Sequence, residues 1–238
     1  MNTLNFIKVK TYAEMSKIAA DMVEAQIKSK PDSVLGLATG SSPVGMYELL
    51  IEKYRNGLLD FSKVRTVNLD EYVGLSGDND QSYRYFMNDK LFNHINIDKN
   101  NTFVPNGLAK DIEKECEDYD KVINELGIDF QVLGVGRNGH IGFNEPSSVF
   151  SKGTHLEVLK EDTVNANSRF FERIEDVPTK ALTMGIESIM SAKKIILVSS
   201  GEAKRPIIEK LLNCEVTPLI PASILKNHPD ATIIFSEN

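Results

Sequence analysis

Three short stretches carry the residue types that acid–base and anion chemistry need, and each follows an apolar, strand-like run. The richest is Gly134 to Pro146, GVGRNGHIGFNEP. Its glycines let backbone approach a ligand, and the imidazole of His140 is the kind of group that passes a proton in both directions. Asn138 and Glu145 add an amide and a carboxylate able to orient the ring or support its charged form. A lone histidine is more often a hydrogen-bonded structural residue; the glycine-rich strand-end loop favours the catalytic reading.

Asp70-Glu71-Tyr72 follows the run VRTVNL. Two adjacent acids there are an ordinary solvated turn, or a carboxylate that removes a proton beside a carbonyl. In Thr39-Gly40-Ser41-Ser42-Pro43 a buried strand turns into a helix. The glycine permits a tight turn, the serines offer hydroxyls, and a helix N-terminus presents N–H groups to an anion. The alternative is a plain Ser-Pro helix cap, and the Walker pattern is absent because no lysine follows at the required spacing. Arg169 and Lys204 are surface charges by default, but a lysine at a helix start opposes the helix dipole and hints at an anionic partner. His94, His140, His155 and His228 form no HxxxH or HxH pair, so no metal is expected.

The elements that must position these residues follow from hydrophobic patterning. Strands are expected at about Phe6 to Val9, Ser33 to Ala38, Val64 to Leu69, Phe130 to Val135, Ile195 to Ser199 and Thr232 to Phe235. Thr11 and Glu14 have capping-box spacing and open a helix that ends before Pro31. A second helix spans about Pro43 to Arg55, with Ser42 as N-cap and Gly57 just past its end. Further helices are expected at about Ser82 to His94, Asp111 to Leu126, Glu187 to Ala192 and Glu202 to Leu212. This alternation is the pattern of an α/β protein with a mostly parallel sheet. Between Phe143 and Asp176 both periods weaken, as in a binding loop or lid.

Composition bounds the rest. The 238 residues, 41% hydrophobic and 26% charged, suit one globular domain over residues 1–238 with a lid around 147–176. With 27 basic against 34 acidic residues the net charge is −7, which opposes binding to nucleic acid. Cys116 and Cys214 fit no metal spacing and no disulfide framework. No signal-like or membrane-spanning apolar run is present, so a cytoplasmic protein without a membrane partner is expected.

Taken together, LGLATGSSP, VNLDEYVGL, GVGRNGHIGFNEP and NSRFFE resemble the glucosamine-6-phosphate deaminases over nearly the whole chain. The resemblance implies a three-layer α/β/α fold around a mostly parallel, Rossmann-like sheet. It also implies a hydrolase that isomerises and deaminates a small phosphorylated amino sugar to fructose 6-phosphate and ammonia in amino-sugar metabolism, with no metal or organic cofactor. Carried over by position, Asp70 would shuttle a proton between C2 and C1. His140 would open the sugar ring with help from Glu145 and the residue at 138, and Gly40, Ser41, Ser42, Arg169 and Lys204 would hold the phosphate. Oligomeric state, monomer or homo-oligomer, stays open.

Two departures stand out. Some members have Asp at position 138, and the amide oxygen of Asn138 can accept the ring N–H of His140 without stabilising an imidazolium as a carboxylate does. The stretch SSVFSKGTHLEV lacks the cation cluster of longer hexameric members, so activation by N-acetylglucosamine 6-phosphate is not expected. The nearest rival, a 6-phosphogluconolactonase, typically continues Gly-His with Thr-Ala-Ser-Leu-Phe rather than with Ile141-Gly142-Phe143-Asn144-Glu145-Pro146. A non-catalytic sugar-phosphate sensor would be expected to lose the acid–base residues and to carry a DNA-binding segment, and none precedes Phe6.

Overall fold

The runs VLGL and FQVL are buried at every position, and strands of that kind are stable only when both sheet faces are covered. The computed structural model describes residues 4–238, apart from the side chains of Ala166 and Phe170. In chain order it contains β1 (Asn5–Val9), α1 (Tyr12–Ser29), β2 (Val34–Leu37), α2 (Val44–Arg55), β3 (Arg65–Asn68), β4 (Asp70–Tyr72), α3 (Tyr83–Lys90), β5 (Thr102–Phe103) and α4 (Ile112–Leu126). Then follow β6 (Phe130–Leu133), β7 (His155–Val158), α5 (Glu161–Asn167), β8 (Lys180–Thr183), α6 (Ile186–Met190), β9 (Lys194–Ser200), α7 (Arg205–Asn213) and β10 (Ala231–Ser236).

Seven strands form a parallel sheet in the order β1-β10-β9-β6-β2-β3-β5. One face is covered by α1 and α2, whose Met15, Ala19 and Leu50 belong to the same buried cluster as Leu35, Phe130 and Ile196. On the other face Ile123 of α4, Ile189 of α6 and Ile208 of α7 cluster with Leu133, Ile195 and Leu197. The architecture is therefore three-layer α/β/α. Between β6 and β2 the lateral progress of the chain reverses, and crevices at such points are where open α/β sheets bind ligands.

Local chemistry explains the helix ends. Thr11 and Glu14 form the expected capping box on α1. On α2 the expected N-cap shifts by one residue: Pro43 is the cap and Ser42 makes no capping bond. At the other end the Gly57 N–H bonds the Tyr54 carbonyl and the Leu58 N–H bonds that of Lys53, a Schellman closure.

A second, antiparallel sheet, β4-β8-β7, was not expected. It turns the Asp70-Glu71-Tyr72 stretch into a buried strand rather than a solvated turn. It also gives the weakly patterned segment after Phe143 a strand, β7, followed by the short helix α5.

Candidate active site

Every residue singled out for chemistry before position 147, together with Lys204, lies just past the C-terminal end of one of four neighbouring strands, β9, β6, β2 and β3. At the end of β2, Gly40 takes φ +87 and leads into the turn before α2. Tyr12 at the start of α1 pins this turn: its hydroxyl donates to the Ser41 carbonyl at 2.8 Å and accepts the Gly45 N–H at 2.8 Å. An anion at this helix start would therefore meet the loop upstream of Gly45.

Past β3 the chain enters the second sheet at Asp70, which is only 6% exposed. Burial first, and the neighbouring charge of Glu71 second, raise its carboxyl well above the usual carboxylate range. Glu71 points away to the start of α3, where it accepts the backbone N–H groups of Tyr72, Tyr83 and Arg84 at 2.8–2.9 Å. Burial still outweighs these bonds and raises its carboxyl.

The loop after β6 faces Asp70. In the antiparallel register Asp70 stands opposite Thr183, and the Thr183 hydroxyl accepts the Phe143 N–H at 3.0 Å. Strand β8 thus splices the Asp70 strand to the His140 loop. Gly142, at φ +57, marks how close they come: a Cβ there would stand 2.9 Å from Thr183 Oγ1 and 3.6 Å from Asp70 Oδ2. Gly136 makes room for the histidine, since its Cβ would fall 2.2 Å from the ring of His140. The rings of Tyr72, Tyr83 and Phe143 pack together behind this junction, with Tyr83 stacked on Phe143 at 5.9 Å.

Within the loop, His140 Nδ1 is buried without a hydrogen-bond partner among the described residues and lies 3.7 Å from Glu145 Oε2. Such contacts are often long in an empty site and tighten when substrate binds. Both Glu145 oxygens are held. Oε2 accepts from Asn138 Nδ2 at 2.6 Å, and Oε1 accepts a short bond from the Thr163 hydroxyl of α5. Burial opposes ionisation of Glu145, but the adjacent His140, Thr163 and Asn138 prevail and hold its carboxyl at about 2. Asn138 corrects one expectation. Its Oδ1 accepts the His140 backbone N–H at 3.2 Å rather than the ring N–H. With only Gly139 between them, the amide reaches the backbone two residues on before it reaches the ring.

At the end of β9, Lys204 caps α7 and its ammonium donates to the Val135 carbonyl at 2.5 Å. Burial, then Arg137, then Arg169, push it down to about 8. The charges of Arg137 and Arg169 thus act directly on Lys204.

Residues 8–234 match the model of a family described as glucosamine-6-phosphate isomerases/6-phosphogluconolactonase. This chain belongs to that family. A glucosamine-6-phosphate deaminase of Clostridium perfringens is 58% identical over 236 residues, which is 99% of this chain and 98% of that protein. Another, of Lachnoclostridium phytofermentans, is 57% identical over 232 residues, 97% and 98% of the two chains. The fold superposes on a solved monomeric glucosamine-6-phosphate deaminase with TM-score 0.96 at 47% identity, covering 98% of this chain and 97% of that one. A 6-phosphogluconolactonase of Thermotoga maritima, at TM-score 0.75 and 21% identity over 99% and 100% of the two chains, shares the fold alone.

In this isomerase/lactonase family member the sequence-derived residues fall into three groups. Asn138, His140 and Glu145 touch or nearly touch, and Asp70 joins them across Thr183 and Gly142. Lys204 and Arg169 lie close enough for their charges to interact, with Arg137 beside them. Gly40, Ser41 and Ser42 share with Lys204 the row of C-terminal strand ends. Four residues escaped the sequence reading. Arg137 lay in plain view within the glycine-rich motif, whereas Tyr12, Thr163 and Thr183 reach the site from distant segments and gave no local signal. Among the described residues, no cluster of three or more His, Cys, Asp or Glu could hold a metal ion, and no helix is long and apolar enough to cross a membrane.

Proposed function

We propose that this chain converts glucosamine 6-phosphate and water to fructose 6-phosphate and ammonia, with Asp70, His140 and Glu145 as its acid–base groups. His140 takes the proton from the O1 hydroxyl and returns one to the ring oxygen, which opens the pyranose to the aldehyde. Asp70 then removes the C2 proton, and protonation at C1 turns the resulting enolamine into a ketimine. Water adds to C2 and ammonia leaves, giving the ketose. Ionised Glu145, steadied by Asn138, supports the imidazolium while His140 carries its extra proton. The turn at Gly40, Ser41 and Ser42 with Lys204 and Arg169 holds the phosphate, and that anchor orients the reacting carbons.

The observation that carries this reading is the splice of Asp70 to the His140–Glu145 loop through Thr183. It puts a carboxyl with a raised ionisation point, a good base once ionised, beside a histidine–carboxylate pair. The substrate is a small phosphorylated amino sugar, and the free thiols Cys116 and Cys214 support a reducing, cytoplasmic setting. Residues 147–176 serve as the lid of a single domain, with α5 as the part that meets the site.

The test is ammonia release from glucosamine 6-phosphate, run beside hydrolysis of 6-phosphogluconolactone. One fructose 6-phosphate per ammonia is expected. Activity on the lactone alone would overturn the reading.

A further inference from the structure

The helix α5 is fastened to the catalytic wall at three points. Lys160, just before it, donates from Nζ to the Pro146 carbonyl at 2.7 Å. Near its start the Thr163 hydroxyl donates to Glu145 Oε1. At its end Asn167 Nδ2 donates to the Tyr72 hydroxyl at 2.8 Å, on the strand that carries Asp70. A seven-residue helix thereby bridges the two halves of the site.

The middle fastening differs from the others because it ends on a side chain of the reacting set. Thr163 is 3% exposed, and its backbone N–H is already bonded to the Lys160 carbonyl. Its hydroxyl carries one proton, and an ionised carboxylate can only accept it. The final torsion of a glutamate is broad and roughly two-fold, so the chain alone does not set the plane of the Glu145 carboxylate. Bonds to both oxygens do: Thr163 holds Oε1, Asn138 holds Oε2, and Oε2 is the oxygen 3.7 Å from His140 Nδ1.

We propose that Thr163 is a positioning residue that turns the Glu145 carboxylate towards His140, so that the pair becomes competent only when α5 is seated against the site. This rests on the reading of Glu145 as the partner of His140 in ring opening. Seating the helix supplies the Oε1 bond, and lifting it frees the carboxylate to rotate. Closure over the sugar and assembly of the proton-transfer pair then become one event. Asn167 extends the same dependence to the Tyr72 side of the site.

The experiment compares Thr163→Val, which keeps the shape and loses the hydroxyl, with Thr163→Ser, which keeps the hydroxyl and loses the methyl. Ammonia-release kinetics on glucosamine 6-phosphate and thermal melts are measured for both, in the parent and in a Glu145→Gln background. Thr163→Val should lower kcat by about 10- to 100-fold, as expected for one hydrogen bond to a charged group, with KM within about twofold. Thr163→Ser should stay within about threefold of the parent, and Thr163→Val should cost little more in the Glu145→Gln background. Simple packing at position 163 gives the reverse order, with the serine variant the weaker, and that result overturns the proposal. So does a full additional loss from Thr163→Val in the Glu145→Gln background. If Glu145→Gln itself deaminates at the parent rate, the reading of Glu145 has failed. If it is impaired while Thr163→Val is not, only the positioning role has failed.

Discussion

Asp70 and Glu145 are both buried carboxylates, 6% and 5% exposed, and their surroundings push them in opposite directions. What acts on Asp70 is burial and then the charge of Glu71, both against ionisation. Glu145 is buried too, but His140, Thr163 and Asn138 reverse the outcome. Two acids of similar surface exposure thus end far apart in proton affinity: Asp70 is enclosed more deeply with nothing to offset it, whereas donors around Glu145 overcome its burial. Such a separation divides the labour: the group that binds a proton more readily suits abstraction from carbon, and the one that stays ionised suits support of an imidazolium.

Neutralising each acid in turn should give the largest effects. Asp70→Asn is expected to lower deamination by about 10³-fold and to abolish exchange of the C2 hydrogen with solvent, since an amide cannot accept that proton. Its melting temperature should rise at neutral pH. A carboxyl whose folded ionisation point is raised costs stability once ionised, and below its unfolded value of about 3.9 that cost is absent. The gain should therefore vanish in acid. Glu145→Gln should melt lower, because the folded state holds its carboxyl at about 2. That contribution is present above the unfolded value of about 4.3 and is lost as pH falls towards 2. Equal shifts of the same sign in both variants would mean that the two environments do not differ as described. Near-parent hydrogen exchange in Asp70→Asn would remove it as the base.

A sharper probe leaves both acids in place and changes a neighbour. Glu71→Gln removes the like charge that raises Asp70, so Asp70 should ionise at lower pH. The acid limb of kcat/KM should move to lower pH, while the plateau falls modestly because the base has become weaker. Glu71 accepts the backbone N–H of Tyr72 and those of Tyr83 and Arg84 at the start of α3, and an amide offers only one accepting oxygen. Losing those bonds should cost about 1–3 kcal/mol, offset in part at neutral pH because burial raises this carboxyl too and the substitution removes its charge. An acid limb that stays in place would show that Glu71 supports the helix without tuning its neighbour.

How far the sequence foretold these arrangements depends on how local their causes are. The apolar runs VLGL, FQVL and KIILVSS read directly as strands of a covered parallel sheet, and Thr11 with Glu14 as a capping box, because each pattern is complete within a few residues. The antiparallel sheet escaped because its pieces carry mixed signals: Asp70-Glu71-Tyr72 holds two acids, and His155–Val158 is a four-residue strand with alternating partial exposure. The His140 loop was legible as a motif, and its resemblance supplied the activity. Thr183 and Thr163 were not, since a threonine acquires its role here only through pairing with β4 or through the seating of α5. Ser42 failed as a cap for a smaller reason, because the helix begins one residue later than Pro43 at its first position would require.

The smallest expected effect concerns Lys204, whose surroundings resemble those of Asp70 with the sign reversed. Burial disfavours its charge, and Arg137 and Arg169 disfavour it further, which leaves the free ammonium at about 8. As pH rises through that value the empty protein loses a cation from the proposed phosphate anchor, so KM for glucosamine 6-phosphate should rise while kcat holds. At pH 8 half the free protein lacks the charge, giving a rise of about twofold, and by pH 9 the rise should be severalfold. Lys204→Arg keeps its charge throughout this range, so its KM should be flat with pH even where the different geometry of the guanidinium makes it higher at pH 7. Arg137→Gln removes one repelling charge without touching Lys204, and the upturn in KM should then begin at higher pH. Steady-state kinetics from pH 6.5 to 9.5 on the three proteins read all of this. A KM for the parent that stays level to pH 9 would place the charge of Lys204 outside phosphate binding, leaving its bond to the Val135 carbonyl as a brace for the His140 loop.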